Sequence, residues 1–532
     1  MRSRVPASAR LAIMVLATAC RGTTPVPISV GSAERIASTP ALWGNLPAGP
    51  YAVSFSTIYQ FDRSRTWRAT RGYASPFAPD AVGRPIRISL WFPAIRDPRS
   101  RQLRFADYVL PAGPASHAAV NHLLAVREQI YAADRAPPGR WADVLALPVA
   151  AHADAPPAAG RFPLVLFAGA LGDTSTTSVS VAAEYLASHG YVVATVPILG
   201  PSSDDTEQGR TPGDRERTVR DLEVAWSILR DHPSVDPART GIFGHSLGGI
   251  EAVLFAMRNA NVSAIAGLDG TYGFAGLGRQ LAELPGYDPR RLRAAFLDLR
   301  RPDGDHGGIH DLAAEHGFHH ADRTFVTIPD LRHRDFRAYA MVSYALTHDP
   351  ASAAPYAGYQ TVCRIVLDFF DDKLKADPTA AQRLRGEVAS IEHSTFEHED
   401  ATPPLPSPDE LVALIATDGF AAATAIVDRL RRDLPGDPIL DEDRFADRSD
   451  QLLAEGRPQP AIELRRLVAY AHPGSAHAAE GLADVYLAAG QPGPAREALQ
   501  RALGLIDGDP GLTGEQRHAM AEATRTRLDH LR

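Results

Sequence analysis

From residue 162 to residue 375, short apolar runs alternate with longer stretches of helical period. Pro163-Leu164-Val165-Leu166-Phe167 is a continuous apolar run of strand length, as expected of a strand buried on both faces. A helical stretch over 178–189 ends at Gly190, and Tyr191-Val192-Val193-Ala194-Thr195-Val196 follows as the next strand. A long helix is predicted over 216–231, then strands at 240–243 and 264–268 with a helix over 250–259 between them. Strands at 294–297 and 324–328 and a helix over 359–375 complete the block. Upstream, 51–55 and 86–92 alternate apolar and polar residues as half-buried strands do. This rhythm predicts an α/β fold: a mostly parallel sheet with helices on both faces.

The pattern changes on either side of that block. Residues 101–158 break the strand rhythm with one helical stretch, 115–131, inside Pro- and Ala-rich connections. Such an insertion is placed either to cap a site or to pack as a loop. Residues 376–407 are polar, acidic and proline-rich and read as a linker, as do the Pro-, Thr- and Ser-rich residues 20–49. From 408 to 532 the chain is helical with a period. Gly456-x4-Ala461 recurs as Gly490-x4-Ala495, 34 residues on (490 − 456). A weaker copy begins at Gly419, off the period and with Thr424 in place of the alanine. A 34-residue period with glycine at the turn and alanine at the helix contact resembles the tetratricopeptide repeat. The expected organisation is therefore a signal segment at 1–19, a linker at 20–49, an α/β domain at 50–375, a linker at 376–407, and a smaller all-α helical-repeat domain at 408–532. The tail is expected to pack on itself or on the α/β domain, and is a candidate surface for a protein partner.

At 532 residues the chain exceeds one ordinary domain, and 45% hydrophobic with 22% charged residues is a globular composition. A net charge of −8 argues against a nucleic-acid partner. The first residues read as an export signal. Arg2, Arg4 and Arg10 precede an apolar run over 11–19 that is too short to span a bilayer. Ala17-Thr18-Ala19-Cys20 suits an ordinary signal peptidase and also resembles a bacterial lipobox, in which the cysteine is acylated. The expected location is the periplasm or cell envelope, with Cys20 as the candidate lipidation site and membrane tether. The other cysteine, Cys363, lies in an apolar helical run and reads as a core residue.

The stretch richest in chemistry is Gly244-His245-Ser246-Leu247-Gly248-Gly249. It fits Gly-x-Ser-x-Gly and sits between a predicted strand and a predicted helix. In that context the serine occupies a sharp turn with its hydroxyl above the sheet, and side chains at Gly244 and Gly248 would collide. A serine nucleophile needs a base, an acid that orients the base, and donors for the oxyanion. In such a fold they follow in the order Ser, acid, His. His333 falls in a loop after the last predicted strand and is the expected base. Asp269, at the end of the strand after the elbow helix, is the favoured acid, with Asp298, Asp303 and Asp305 as alternatives. His245 reads as a structural neighbour whose ring points away from the hydroxyl. His306, His310, His316, His319 and His320 lie in or beside a polar stretch and read as a solvated helix and loop; no metal ligand set is expected among them. The expected oxyanion donors are the amides of Leu247 and of Leu171, the latter in the loop after the 163–167 strand.

Over residues 50–375 the chain resembles the α/β-hydrolase group that includes platelet-activating-factor acetylhydrolases and dienelactone-hydrolase-like esterases. The resemblance is carried by Arg84-Pro85-Ile86-Arg87-Ile88-Ser89-Leu90-Trp91-Phe92-Pro93-Ala94, by Phe162-Pro163-Leu164-Val165-Leu166-Phe167, by Tyr185-Leu186-Ala187-Ser188-His189-Gly190-Tyr191, by the elbow, by Gly267-Leu268-Asp269 and by His333 with Phe336. It implies Ser246, Asp269 and His333 as triad, Leu171 and Leu247 as amide donors, and ester hydrolysis without metal or cofactor. A short-chain or oxidised phospholipid ester, or another small-molecule ester, is the implied substrate. One departure stands out: Gly169-Ala170 replaces the group's usual His-Gly before the oxyanion residue. Amide or peptide hydrolysis uses the same triad and is the enzymatic alternative. A catalytically dead, surface-tethered scaffold working through residues 408–532 is the non-enzymatic one.

Overall fold

The computed structural model describes residues 41–67, 83–133, 139–173, 175–203, 207–277, 281–303, 309–434 and 440–531. The expected signal segment, Cys20, most of the 20–49 segment, Asp305 and His306 lie outside them.

Eleven strands among the described residues form one sheet: β1 (Ala52–Asp62), β2 (Arg84–Ala94), β3 (Gln102–Arg104), β4 (Pro148–His152), β5 (Phe162–Ala168), β6 (Val192–Thr195), β7 (Val235–His245), β8 (Val262–Leu268), β9 (Ala295–Arg300), β10 (Arg323–Thr327) and β11 (Thr395–Glu399). Their order is β3-β4-β1-β2-β6-β5-β7-β8-β9-β10-β11. The block from β6 to β10 is parallel, and antiparallel pairs flank it at β2–β6 and β10–β11.

Both faces of the central strands are dry, because successive side chains point to opposite faces. On β5, Val165 and Phe167 join the core formed with helices Thr176–Ser188 and Ala353–Lys375. Leu164 and Leu166 join the other core, with helices Pro212–Leu229 and Leu247–Arg258. This is the predicted α/β architecture, a mostly parallel sheet covered on both sides. Cys363 sits in the first core, where burial pushes its thiol up to about 12. The strand order reverses at β5: β6 lies on one side of it and β7 on the other. Loops leaving the carboxyl ends of β5 and β7 therefore diverge to opposite faces and open a crevice, the usual ligand position in such sheets.

The 101–158 insertion is partly sheet and partly helix. β4 pairs with β1 and β3 with β4. Helix Ala118–Ala133 lays Val120 and Leu124 on Leu199, in the loop after β6. The fully buried Arg84 pins that same loop, donating to the carbonyls of Leu199 and Gly200 while its fork grips Asp221.

The expected linker at 376–407 is structured instead, and so is the described end of the one at 20–49. Within 376–407, helix Ala380–Ala389 buries Leu384 and Val388, and β11 adds an antiparallel edge strand to β10. The β11 side chains Thr395, Phe396, Glu397 and His398 are exposed while its backbone is paired. A polar edge strand of this kind has the composition of a loop. At the other end, the described part of 20–49 packs Leu42, Trp43 and Leu46 into the core, with Trp43 edge-on to Tyr185 at 5.8 Å.

The tail comprises helices Pro408–Asp418, Phe420–Asp433, Glu442–Ala454, Pro458–Ala471, Ala476–Ala488, Pro492–Leu505 and Gly514–His530. Gly456 and Gly490 turn the repeat hairpins with φ of 73° and 72°, and Ala461 and Ala495 are fully buried. The off-period copy is also a hairpin. Gly419 turns it with φ 85°, and Ala423, one residue before Thr424, takes the buried position. Residues 39–532 form one compact unit.

Candidate active site

The elbow forms at the carboxyl end of β7. Ser246 adopts φ 58° and ψ −124°, a conformation that L residues other than glycine rarely take. The turn is over-determined by its neighbours. Ser246 N–H donates to Leu268 O at 3.2 Å, and its carbonyl accepts from the amides of Gly249 and Thr271, each at 3.0 Å. A Cβ on Gly244 would lie 2.2 Å from Gly248 O, and one on Gly248 would lie 2.1 Å from Ala168 O. Both positions are closed to any side chain, which is why the motif needs glycine there.

Three side chains from three strand ends converge at this turn. Asp269 directly follows β8, and its amide donates to Leu299 O at 2.7 Å. His333 opens a short 3-10 turn, His333–Phe336, after β10. Its Nδ1 lies 2.5 Å from Asp269 Oδ2, and its Nε2 lies 2.9 Å from Ser246 Oγ. Asp269 is 1% exposed and Ser246 8%, so the carboxylate is sealed and the serine only just accessible.

His245 supports His333 from behind. Its ring stacks on His333 at 4.8 Å, and its Nε2–H donates to the His333 carbonyl at 2.8 Å. Burial, with the nearby charges of His333 and Arg337, holds it well below the usual imidazole range. A neutral His245 therefore braces the loop that carries His333.

The second oxygen of Asp269 is also held. His310 Nε2 lies 3.4 Å from Asp269 Oδ1, and its Nδ1 lies 2.8 Å from Asp303 Oδ1. Asp303 Oδ1 also takes the His310 amide at 2.8 Å. Arg301 adds its Nε at 3.3 Å from Oδ2 and its amide at 3.4 Å from Oδ1. Phe274 closes the cluster edge-on to His333 at 5.4 Å and to His310 at 5.8 Å. Burial alone would raise the Asp269 carboxyl, but hydrogen bonds from His310 and His333 and the charges of His333 and Arg301 hold it well below the usual carboxylate range. Burial lowers the His310 imidazole, but Asp269 and Asp303 more than offset this and raise it.

These contacts separate the candidate acids. Asp303 engages His310 and not His333. Asp298 is buried, accepts from Tyr272 Oη at 3.1 Å, and is raised by burial, with the Asp269 charge adding to the shift. The neighbouring buried Glu315 is raised for like reasons, burial first and then the charge of Asp298. His310 belongs at the site although its sequence context reads as a solvated loop. The only signal for it is its place after β9, the strand beside β8, and a linear pattern does not show that the loop folds back onto Asp269. His316, by contrast, bonds Glu399 at 2.7 Å, and His320 bonds the Thr402 carbonyl at 2.7 Å.

The two expected oxyanion donors lie just after β7 and β5. Leu247 N–H is the first of its helix and has no intrahelical acceptor. Leu171 lies in the turn after β5, closed by Asp173 N–H donating to Ala170 O at 3.0 Å. Neither amide donates to an acceptor among the described residues. Gly169 packs closely, since a Cβ there would lie 2.3 Å from Ser175 Oγ. Ala170 is not among the residues with positive φ, so its Cβ brings no backbone strain. Away from this site, Asp322, His398 and Asp400 come within metal-binding distance of one another. However, Asp322 already accepts from the Ala401 amide at 3.1 Å and from Lys373 Nζ at 3.4 Å.

No protein-family profile matches the chain, and no curated protein does. Among solved structures, the chain is similar to a ferulic acid esterase from Streptomyces cinnamoneus, with 22% identity over 66% of this chain and 98% of that one, and a TM-score of 0.44. A likeness at that level carries no argument about activity. The resemblances to the acetylhydrolase and dienelactone-hydrolase group and to the tetratricopeptide repeat therefore rest on the motifs alone.

Proposed function

We propose that the protein is a serine carboxylic-ester hydrolase that works through an acyl-enzyme. The observation that carries this reading is the unbroken path from Ser246 Oγ through His333 to Asp269, at 2.9 and 2.5 Å. It lies at the strand ends where the sheet order reverses. Ser246 Oγ attacks the ester carbonyl as His333 Nε2 takes its proton. The amides of Leu247 and Leu171 receive the oxyanion; fixed backbone donors of this kind are each worth about 2.7–4 kcal/mol. His333 then passes the proton to the leaving alkoxide. Water attacks the acyl group with His333 again as base, which releases the carboxylic acid and restores Ser246. Asp269 holds the imidazole tautomer and stabilises its charge, and His310 and Arg301 hold Asp269.

A short-chain or oxidised phospholipid ester is the substrate the motif resemblance favours, and a lipid tether at Cys20 would keep the enzyme beside such substrates. Fluorophosphonate labelling of the full chain, followed by a panel of p-nitrophenyl esters and matching anilides, tests the reading. Labelling and ester turnover that vanish in Ser246→Ala and His333→Ala are expected. Turnover retained in Ser246→Ala, or anilides cleaved as fast as esters, would overturn it.

A further inference from the structure

We propose that the seam between the α/β unit and the helical tail binds a small organic anion, with a carboxylate or phosphate head on an apolar body. A cavity of about 280 Å³ lies there. That is close to the lower end of small-molecule sites, which favour domain interfaces. It is remote from Ser246. The turn Pro289–Arg291 that forms one wall precedes β9, and His320 on the same rim precedes β10. The cavity therefore lies at the amino-terminal ends of the parallel strands, whereas the triad lies at their carboxyl ends.

The charge in this cavity is unbalanced. Arg290, Arg291 and Arg293 reach it from the α/β side and Arg444 from the tail, against Asp288 and Asp441. Asp288 pairs with Arg290 at 2.9 Å. Asp441 caps its helix by accepting the Arg444 amide at 3.1 Å. Arg291, Arg293 and Arg444 have no carboxylate partner among the described residues. Burial pulls the Arg293 guanidinium down, and the charge of Asp288 only partly restores it. Its Nη1 is fixed on the carbonyls of Arg290 and Leu292. A guanidinium held by backbone carbonyls, only partly offset by Asp288 and with no carboxylate in direct contact, is what an incoming anion would satisfy. In a chain of net charge −8, this surplus is not a spill-over of general basicity.

Apolar side chains also line the cavity: Leu405 from the connecting segment and Leu430, Leu434 and Phe445 from the tail. The connecting segment is stapled to the α/β unit by Thr402 N–H on His319 O and by His320 Nδ1 on Thr402 O, both at 2.7 Å. Arg429 ties it to the tail through Pro403 O at 3.2 Å. An anion gripped by Arg291 and Arg293 on one side and Arg444 on the other would bridge the two parts and raise the melting temperature by mass action.

Calorimetric titration of the full chain with octyl phosphate, octanoate, inorganic phosphate and octanol tests this, beside the Arg291→Gln/Arg444→Gln double variant. Both arginines are exposed, and neither belongs to the triad. Saturable binding of octyl phosphate, octanoate or both is expected, with a raised melting temperature. The double variant should bind at least ten-fold more weakly, with ester hydrolysis unchanged. Binding of octyl phosphate alone would assign a phosphate head; equal binding of octanoate would assign any anionic head. Equal binding of inorganic phosphate or of octanol would overturn the two-part ligand. No saturable binding of either amphiphile, or unchanged affinity in the double variant, would overturn the site.

Discussion

The carboxyl ends of the central strands and the helical tail are built on opposite principles. At the strand ends, backbone strain, buried charge and close packing meet within a few residues. Ser246 and Asp269 both carry positive φ, and Asp269 stays ionised in a dry pocket because several donors converge on it. The tail instead repeats one economical unit: a helix pair, a left-handed glycine, a small residue at the crossing and ion pairs at the surface. Arg448, for example, pairs with Asp409 and Glu455, each at 2.8 Å. The first region holds a few atoms to narrow tolerances; the second tolerates change because each unit leans only on its neighbours. Substitutions of the same type should therefore have different consequences in the two regions.

The largest separation is expected at Ser246. Ser246→Ala should lower kcat by roughly a million-fold, the scale seen when a triad serine is removed. The melting temperature should stay unchanged, because the turn is held by backbone bonds that Gly249 and Thr271 donate to Ser246 and that Ser246 donates to Leu268. Steady-state kinetics beside a thermal melt would check this; a coupled loss of both would mean that the hydroxyl is structural. Gly248→Ala reverses the balance. Its Cβ would press on the Ala168 carbonyl, and overpacking of this kind costs about 3 kcal/mol. Chemical denaturation should show that loss, and activity should fall with it because Ala168 leads into the Leu171 loop.

His310→Gln tests whether the second imidazole works by positioning. It should reduce kcat on the order of ten-fold, which is about 1.4 kcal/mol, and leave KM nearly unchanged. The pH dependence gives an independent sign. His310 faces Asp269, Asp303 and Arg301, and its folded value is raised. Its contribution to stability is therefore complete below the unfolded imidazole value of about 6.5 and is lost as pH rises through the folded value. Asp269 is shifted the other way, so its contribution is present above about 3.9 and is lost only as pH falls well below the carboxylate range. The difference in melting temperature between wild type and His310→Gln should be widest near pH 6 and narrow toward pH 9. A constant difference would make His310 a packing residue.

How much of this was legible in the sequence depends on whether the cause is local. The strand β5 is a continuous apolar run, and β7 and β8 carry apolar stretches at 241–243 and 264–268, so all three could be read directly. Gly244 is demanded by Gly248 four residues on, a local contact, whereas Gly248 is demanded by the Ala168 carbonyl, distant in sequence, and was legible only through the motif. Asp269 and His333 were readable as strand-end residues in the right order. His310 was not, because only the fold-back of a polar loop brings it to Asp269. The β11 edge and helix Ala380–Ala389 were missed for a related reason. Their polar composition is that of a linker, and what orders them is pairing with β10 and two buried contacts, Leu384 and Val388. The off-period hairpin shows the same limit: moving the buried alanine from the place of Thr424 to Ala423 hides a repeat from a fixed period while the packing is kept.

The smallest effect lies in the tail and bears on what its glycines do. Gly456 turns a hairpin with φ 73°, and nothing lies within 4 Å of where its Cβ would be. Gly248, by contrast, has no room. Gly456→Ala should therefore cost only the left-handed backbone penalty, about 1 kcal/mol. It should leave ester turnover untouched, because the strain stays within one hairpin. Gly456→Asn should recover part of the loss, since asparagine tolerates this conformation better than alanine. Denaturation curves for the three proteins would show that graded order. If alanine instead cost as much at Gly456 as at Gly248, the repeat turn would be closely packed as well, and the contrast between the two regions would fail at its simplest point.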